Sequence, residues 1–307
     1  MFEPDLSGRS VLLTGAAGFI GSHLLRRLLA AGATVHATSR EVRPIGEPAL
    51  HWHQIDLTNE AAVDEMVRLT KPHLIFHLAS HVAGARDLAL VLPTFHANLA
   101  STLYLLTAAA KVGCERLVLT GSLEEPEDQT PPASPYAAAK AAAASYARMF
   151  HLLYGTPVVL ARLFMVYGPA QRDVRKLVPY VILSLLQGGE VKLSSGVRPV
   201  DWVYVDDVVE GLLRLAVTEG VEGRRIDLGS GRLVTVREVV EKLYGLLAPG
   251  AELELGGLPD RPHEQVRAAD VEATEDLLGW RPRVGLEKGL RATVDYYRRQ
   301  HEAGRRR

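Results

Sequence analysis

Residues 10–32 constrain the fold more than any other part of the chain. Ser10–Thr14 is a short apolar, partly β-branched run that predicts a buried parallel strand. A glycine-rich turn occupies residues 15–21, and an amphipathic stretch then runs to Gly32, where a helix would end. Strand, glycine turn and helix in this order is the context that a dinucleotide-binding motif requires.

The spacing of the turn is Gly-x-x-Gly-x-x-Gly. Its glycines allow the backbone to approach a pyrophosphate, and the helix N-terminus supplies free N–H donors and partial positive charge. The residues predicted to contact the cofactor here are Gly15, Ala17, Gly18, Phe19, Ile20 and Gly21.

The end of the second predicted strand indicates which dinucleotide binds. Residues 34–38 are followed by Ser39 and Arg40, a hydroxyl and a guanidinium that suit the 2′-phosphate of NADP(H). A carboxylate, which would favour NAD(H), comes only with Glu41. We therefore expect NADP(H), with NAD(H) as the alternative if the loop places Glu41 differently.

Two later strand ends add cofactor candidates. Residues 51–55 precede Asp56, whose carboxylate could accept the adenine amino group, and the apolar Leu57. Residues 74–77 precede Leu78, Ala79 and Ser80, whose small side chains would allow the cofactor to approach the backbone closely.

Strands and helices alternate from residue 10 to about 163, which predicts an α/β fold with a doubly wound parallel sheet.

A Tyr-x-x-x-Lys pair, Tyr136 and Lys140, follows Ser134 and Pro135, which read as the cap and first residue of a helix. Four residues apart, the two side chains share a helix face, so the ammonium is expected to lower the phenol pKa and make Tyr136 an acid/base group. Taken alone, the spacing also fits one packed ring and one solvated amine.

With these motifs in place, the chain resembles the extended short-chain dehydrogenase/reductases, in the branch that acts on nucleotide-diphosphate sugars. The likeness runs over nearly the whole length and rests on Thr14–Gly21, Asp56–Leu57, His77–Ala79, Asn98, Ser122, Tyr136–Lys140, Arg162–Pro169 and Arg198–Asp207.

The resemblance assigns roles. It implies that Tyr136 is the catalytic acid/base, that Lys140 holds the nicotinamide ribose, and that Ser122 hydrogen-bonds the reacting oxygen. Asn98 and Thr120 join the expected cofactor-binding set, with Asn98 near the active-site helix.

The resemblance also implies a domain organisation. Residues 1–168 would form the Rossmann domain, with residues 201–230 returning to it, and residues 169–200 and 231–307 would form a smaller C-terminal lid over the substrate. A short strand is expected at residues 191–193. Two helices with small faces, near 99–111 and 137–147, are expected to pair across a homodimer interface.

Substrate residues are predicted from the same likeness. Arginine forks suit a pyrophosphate, and Arg198 and Arg261 stand where the family places phosphate-facing arginines. Lys176 begins a helix beside the expected nucleotide pocket. The remaining candidates are His81, Ser122, Glu124 and Met165, although a lone surface charge or loop histidine is a common alternative at such positions.

Departures from the family pattern narrow the reaction. Dehydratases carry an Asp-Glu pair after the hydroxyl residue, whereas Ser122 is followed by Leu123 and Glu124, so dehydration is not expected. We expect an NADPH-dependent reductase of a nucleotide-linked 4-keto-6-deoxy sugar. A 4-epimerase that retains its NAD(P) and a non-catalytic nucleotide sensor are the alternatives.

Charge and cysteine content limit the partners. A net charge of −1 among 307 residues gives no basis for nucleic acid or an anionic membrane as partner. A single cysteine, Cys114, precludes an internal disulfide and fits a reducing cytoplasm, and its apolar context predicts packing rather than nucleophilic chemistry. No metal site is expected.

Overall fold

The main layer of the protein is a parallel sheet that carries the motifs at the carboxyl ends of its strands. In this computed structural model, which describes residues 2–44, 46–127, 130–261 and 264–305, the sheet has seven strands in the order β3-β2-β1-β4-β5-β6-β9. The strands are β1 (Ser10–Thr14), β2 (Thr34–Ser39), β3 (Leu50–Gln54), β4 (Leu74–His77), β5 (Arg116–Ser122), β6 (Val158–Leu163) and β9 (Arg225–Leu228). The predicted doubly wound sheet is confirmed.

Helices cover both faces of this sheet because its central strands, β1, β4, β5 and β6, are buried on both faces. One face carries α1 (Phe19–Ala30), α7 (Val205–Val217) and α9 (Val271–Leu278); the other carries α2 (Glu60–Thr70), α4 (Ser101–Val112) and α5 (Pro135–Tyr154). Cys114 packs against the apolar core between the sheet and α2, α4 and α5. The strand order reverses between β1 and β4, the point at which open α/β sheets bind ligands.

The helix α5 follows its sequence signals closely. The Ser134 hydroxyl accepts the Ala137 N–H at 3.1 Å, Pro135 is the first helical residue, and Gly155 ends the helix in a left-handed conformation. Its alanines at 137, 139, 143, 144 and 147 are buried, which lets the helix lie close to the sheet and keeps Tyr136 and Lys140 at the strand ends.

A smaller unit packs beside the carboxyl edge of the main sheet. Its three-stranded sheet has the order β10-β8-β7, and three helices pack on it. The elements are β7 (Met165–Tyr167), α6 (Leu177–Leu186), β8 (Pro199–Tyr204), β10 (Leu233–Thr235), α8 (Val236–Leu247) and α10 (Leu286–Arg305). The predicted boundaries at 168 and 201 therefore cut through this sheet, while β9 lies in the main one. Residues 306–307 of the predicted lid lie outside the described residues.

The strand expected at 191–193 is wrong. Val191 and Leu193 are buried in the core of the smaller unit, but no strand is assigned there among the described residues. Apolar side chains alone cannot make a strand without a neighbouring edge to pair with.

The segment before α4 departs from regular helix. A 3₁₀ turn (Leu88–Leu90) leads into α3 (Val91–Thr94), and a π-helical segment (Phe95–Ala100) follows before α4 begins. By length and composition alone, the continuous stretch 88–112 could cross a membrane, with about a third of its most apolar window buried in the fold. Leu105 and Leu106 of this stretch are buried in the core of the main domain.

Candidate active site and cofactor cradle

The glycine turn after β1 is shaped for close contact with a ligand backbone. Gly15 has a φ of +70°, and a Cβ built there would lie 2.7 Å from the Ala79 nitrogen. A Cβ at Gly21 would lie 2.1 Å from the Gly15 carbonyl oxygen. Gly18 precedes α1 with no side-chain cap, so the first N–H groups of the helix remain available to an anion. The cradle therefore fits the pyrophosphate of a dinucleotide.

A buried hydrogen-bonded chain joins the strand ends around that turn. The Thr14 hydroxyl lies 2.8 Å from Nδ1 of His77, whose Nε2 lies 3.1 Å from the Thr102 hydroxyl. Thr14 also accepts the Ala79 N–H at 3.1 Å. Burial lowers the pKa of His77 to about 3, with a further contribution from the nearby Lys140 charge. His77 is thus a neutral link that fixes the turn against β4.

Asn98 uses its amide to hold the loop after β4. Its Oδ1 accepts the Ser80 hydroxyl at 3.1 Å and the His81 N–H at 2.6 Å, and its Nδ2 donates to the His81 carbonyl at 3.1 Å. The side chain sits in the π-helical segment, a feature often found at functional sites. Asn98 therefore acts on the site through Ser80 and His81. The His81 residue itself is exposed.

The end of β2 carries a second arginine, Arg43, in addition to the Arg40 that follows Ser39 in the sequence. Arg43, which the sequence analysis did not single out, places its Nε 3.3 Å from the Ser39 hydroxyl, and its guanidinium lies over Trp52 at 5.9 Å. Its Nη2 donates to Glu41 at 3.0 Å, so that carboxylate is already paired. Arg40 is exposed beside it.

Asp56 is partly used by its own loop. One carboxylate oxygen accepts the N–H and the hydroxyl of Thr58 at 2.9 and 2.8 Å, bonds that lower the pKa of Asp56. Leu57 packs at the margin of the core beside α2.

Ser122, Tyr136 and Lys140 converge at the ends of β5 and α5. The Tyr136 phenol hydrogen-bonds the hydroxyls of Ser122 and Ser80. The Lys140 ammonium donates to the Thr120 carbonyl at 2.8 Å and lies 5.9 Å from the centre of the Tyr136 ring. The Thr120 hydroxyl in turn donates to the His77 carbonyl at 3.0 Å. The three predicted catalytic side chains thus lie together at the strand ends, with Tyr136 beside Ser122 and Lys140 held by the Thr120 carbonyl.

The expectation that Lys140 lowers the pKa of Tyr136 is wrong. Burial raises the pKa of Tyr136 to about 12, and the carboxylates of Glu125 and Glu124 also raise it, while the bonds from Ser122 and Ser80 act in the opposite direction. Burial lowers the pKa of Lys140 to about 8. The helical spacing gave the right neighbours, but the ammonium points to Thr120 and the phenol keeps its proton.

Glu125 is a buried carboxylate behind Ser122 that the sequence did not reveal. It is 1% exposed, and its Oε1 accepts the Ser122 N–H at 2.7 Å. A Cβ on Gly121 would lie 2.4 Å from the same oxygen, so only glycine leaves room for it. Burial raises the pKa of Glu125. Nothing in the run Glu124-Glu125 distinguishes the buried carboxylate from its neighbour.

The predicted substrate cations lie together with carboxylates between them. Arg198 Nη2 lies 2.9 Å from Glu124, and its Nη1 lies 3.2 Å from Glu264. Glu264 also faces Arg261 at 4.0 Å, and the charge of Arg261 lowers the pKa of Lys176, although burial lowers it more. Met165 is half-buried at the start of β7. Their part in substrate binding stays a prediction.

Together, the parallel sheet, the glycine cradle and the convergence of Ser122, Tyr136 and Lys140 at the strand ends define a dinucleotide-binding α/β protein of the Rossmann type. Within that class, the family model described as the NAD dependent epimerase/dehydratase family matches residues 11–229. The chain belongs to this family, and a nicotinamide cofactor follows from it.

Relatives with both activities of the family align over almost the full length. A UDP-glucose 4-epimerase of Mycolicibacterium smegmatis is 32% identical, covering 95% of this chain and 99% of the relative. A dTDP-glucose 4,6-dehydratase of Neisseria gonorrhoeae is 29% identical, covering 94% and 95%. The crystal structure of a Thermotoga maritima UDP-glucose 4-epimerase with UDP-glucose matches with a TM-score of 0.85 at 27% identity, covering 95% and 99%.

Proposed function

We propose that this enzyme reduces the keto group of a nucleotide-diphosphate 4-keto-6-deoxy sugar with NADPH. The observation that carries the direction of the reaction is the cationic end of β2, where Arg43 lies beside Ser39 and pairs with Glu41, because this favours NADPH, the cofactor that a net reductase consumes. The Tyr136 phenol beside Ser122 is the group placed to donate a proton to a carbonyl oxygen. The substrate class rests on family membership and on relatives that act on UDP- and dTDP-sugars.

In this proposal each residue of the site has one task. The glycine turn at residues 15–21 would hold NADPH, which would supply a hydride for the carbonyl carbon. Tyr136 gives its proton to the carbonyl oxygen, Ser122 donates a hydrogen bond to that oxygen, and Lys140 stabilises the phenolate that remains. Asn98 and Glu125 hold the loop after β4 and the Ser122 backbone, respectively, in position.

The choice of NADPH is supported by the charges at the end of β2. Arg43 lies 3.3 Å from the Ser39 hydroxyl and pairs with Glu41, the nearest carboxylate in sequence that could accept ribose hydroxyls, and the exposed Arg40 follows Ser39 in the chain. A 2′-phosphate would find two guanidinium groups there. Arg40→Ala and Arg43→Ala should each weaken NADPH binding more than NADH binding in calorimetry, and equal losses for both cofactors would contradict the proposal.

The direct test is turnover with a panel of UDP-, dTDP- and GDP-linked 4-keto-6-deoxy sugars. Consumption of NADPH is followed by absorbance, and the configuration of the product is read by NMR. Tyr136→Phe should lower kcat by about 10²–10⁴-fold with cofactor affinity almost unchanged, because the fold and the cradle do not depend on the phenol oxygen. Unchanged turnover in that variant would refute the role of Tyr136.

A 4-epimerase is the second candidate, favoured by the 32% identity to such an enzyme. It would use the same three residues in both directions, without net use of cofactor. Cofactor that copurifies with the protein, together with interconversion of UDP-sugars in the absence of added NADPH, would support it. A non-catalytic sensor would bind NADPH but turn over none of these substrates.

The chain is also proposed to form a homodimer. Leu88, Leu92 and Phe95 are exposed on the helical stretch before α4, and Leu152 and Leu153 are exposed at the end of α5. Exposed apolar side chains on a helical surface are of the kind that a second copy can cover. Light scattering should give twice the chain mass, and Leu92→Glu should shift it towards the monomer. A cytoplasmic location stays a prediction.

A further inference from the structure

The guanidinium of Arg198 is held by carboxyl groups of the chain itself. Its Nη2 donates to Glu124 at 2.9 Å and to the Gln265 carbonyl at 2.7 Å, and its Nη1 lies 3.2 Å from Glu264. The side chain is 18% exposed. Its Nε is buried and has no partner among the described residues, so one donor of the fork is still free.

Glu124 and Glu264 lie beside arginine side chains that could otherwise bind an anion. Glu264 lies between Arg198 and Arg261. Lys176 lies close to Arg261, whose charge, together with burial, lowers the pKa of Lys176. A diphosphate presents the same kind of charged oxygen to a guanidinium as a carboxylate does, with more oxygens and more charge. Glu124 and Glu264 thus occupy donors that a diphosphate could use.

Glu124 also touches the catalytic loop. Its backbone N–H donates to the Ser122 hydroxyl at 3.2 Å, while its side chain reaches Arg198. One residue therefore connects the cation group in the smaller unit with the hydroxyl that is to contact the reacting carbonyl. Its carboxylate is close enough to Tyr136 to raise the pKa of the phenol.

We propose that Glu124 is a positioning residue that holds Arg198 as an internal substitute for phosphate, and that the diphosphate of the substrate displaces it. The inference rests on the proposed nucleotide-diphosphate substrate. Arg198 then exchanges one anionic partner for another, and the affinity for the nucleotide is set by the difference between the two. Glu124 opposes nucleotide binding, whereas a residue that contacts the substrate would favour it.

The test uses Glu124→Gln, which keeps the shape and a hydrogen-bond acceptor but removes the charge. Calorimetry with UDP and with dTDP, neither of which carries a sugar on the diphosphate, should show about two- to fivefold tighter binding, the worth of one partly exposed ion pair. Glu127→Gln is the matched control. It removes the same charge from the same loop, but Glu127 pairs with Arg267, and it should leave the UDP affinity unchanged.

A double-variant cycle identifies the partner. In an Arg198→Ala background, which should itself weaken UDP binding, the added Glu124→Gln change should have no effect, because the competition no longer exists. Thermal unfolding of each variant verifies that the fold is retained.

Three results would overturn the inference. If Glu124→Gln weakens UDP binding or leaves it unchanged while wild-type protein binds UDP, Glu124 does not compete for Arg198. An equal gain in the Arg198→Ala background would mean that the effect comes from general charge. If neither UDP nor dTDP binds the wild-type protein at millimolar concentration, the proposed substrate class fails together with the inference.

Discussion

The neutral, buried His77 makes the protein sensitive to mild acid, and the size of this effect can be worked out. In the unfolded chain a histidine has a pKa of about 6.5. In the fold, burial lowers the pKa of His77 to about 3. Between these two values the unfolded state binds a proton that the folded state does not, so the folded state loses stability as the pH falls from about 6.5 towards about 3.

At pH 5 the loss of folding stability depends almost only on the pKa of the histidine in the unfolded chain. Protonating the unfolded histidine over the 1.5 units below its pKa is worth about 2 kcal/mol, at roughly 1.4 kcal/mol per unit. The full difference would be about 5 kcal/mol in strong acid, which is comparable to the whole stability of many domains. The same protonation would turn Nδ1 from an acceptor into a donor and so disturb its bond to the Thr14 hydroxyl, whereas Thr102, whose hydroxyl donates to the Asn98 carbonyl, would still accept from Nε2.

The assay is urea unfolding at pH 7.5 and pH 5 for wild type and His77→Asn. The variant should be less stable at pH 7.5, by about 1–3 kcal/mol for two buried hydrogen bonds. Its further loss on going to pH 5 should be about 2 kcal/mol smaller than that of wild type, because the titrating group is gone. His81→Asn, which removes an exposed imidazole, is the control. An equal acid loss in wild type and His77→Asn would refute the reasoning.

The remaining predictions concern the site. Gly21→Ala should abolish cofactor binding, seen as the loss of NADPH fluorescence enhancement, because its Cβ would lie 2.1 Å from the Gly15 carbonyl oxygen; normal binding would contradict the tight turn. Glu125→Ala should cost about 2–3 kcal/mol in urea unfolding and lower kcat, since it orphans the Ser122 N–H, whereas Glu125→Gln should keep most of both; equal effects would exclude the hydrogen bond as the cause. In wild type, kcat should fall as the pH rises past about 8, where Lys140 loses its charge, and a flat profile to pH 10 would contradict that role for the ammonium.

Much of the fold was predictable because local and tertiary preferences agree. The helix that begins at Pro135 was predictable, since Ser134 is its cap and Pro135 its first residue, as expected from the sequence. The run at 191–193 is the opposite case. Its pattern fits a strand, but whether a strand forms depends on an edge supplied by distant parts of the chain.

The sequence predicted that Tyr136 and Lys140 lie together, but it did not predict which groups each side chain contacts. Tyr136 and Lys140 are neighbours through helical geometry alone. The Lys140 ammonium donates to the Thr120 carbonyl on β5. The pKa of the Tyr136 phenol could therefore not be predicted from the spacing of the two residues. Arg43 and Glu125 were missed for the same reason, because their partners depend on how a loop turns and which carboxylate it buries.

The three residues after Ser122 explain how a dehydratase-like framework can serve a different reaction. Leu123 is buried in the core under α1 and α7. Glu124 is directed to Arg198, and Glu125 is buried against the Ser122 N–H. Elimination of water needs carboxyl groups that are free to move protons at the sugar carbons, and here both carboxylates have partners within the chain. Hydride transfer needs only the group formed by Ser122, Tyr136 and Lys140, and that group is intact. The geometry of this loop is the reason why we expect keto-group reduction or epimerisation rather than dehydration.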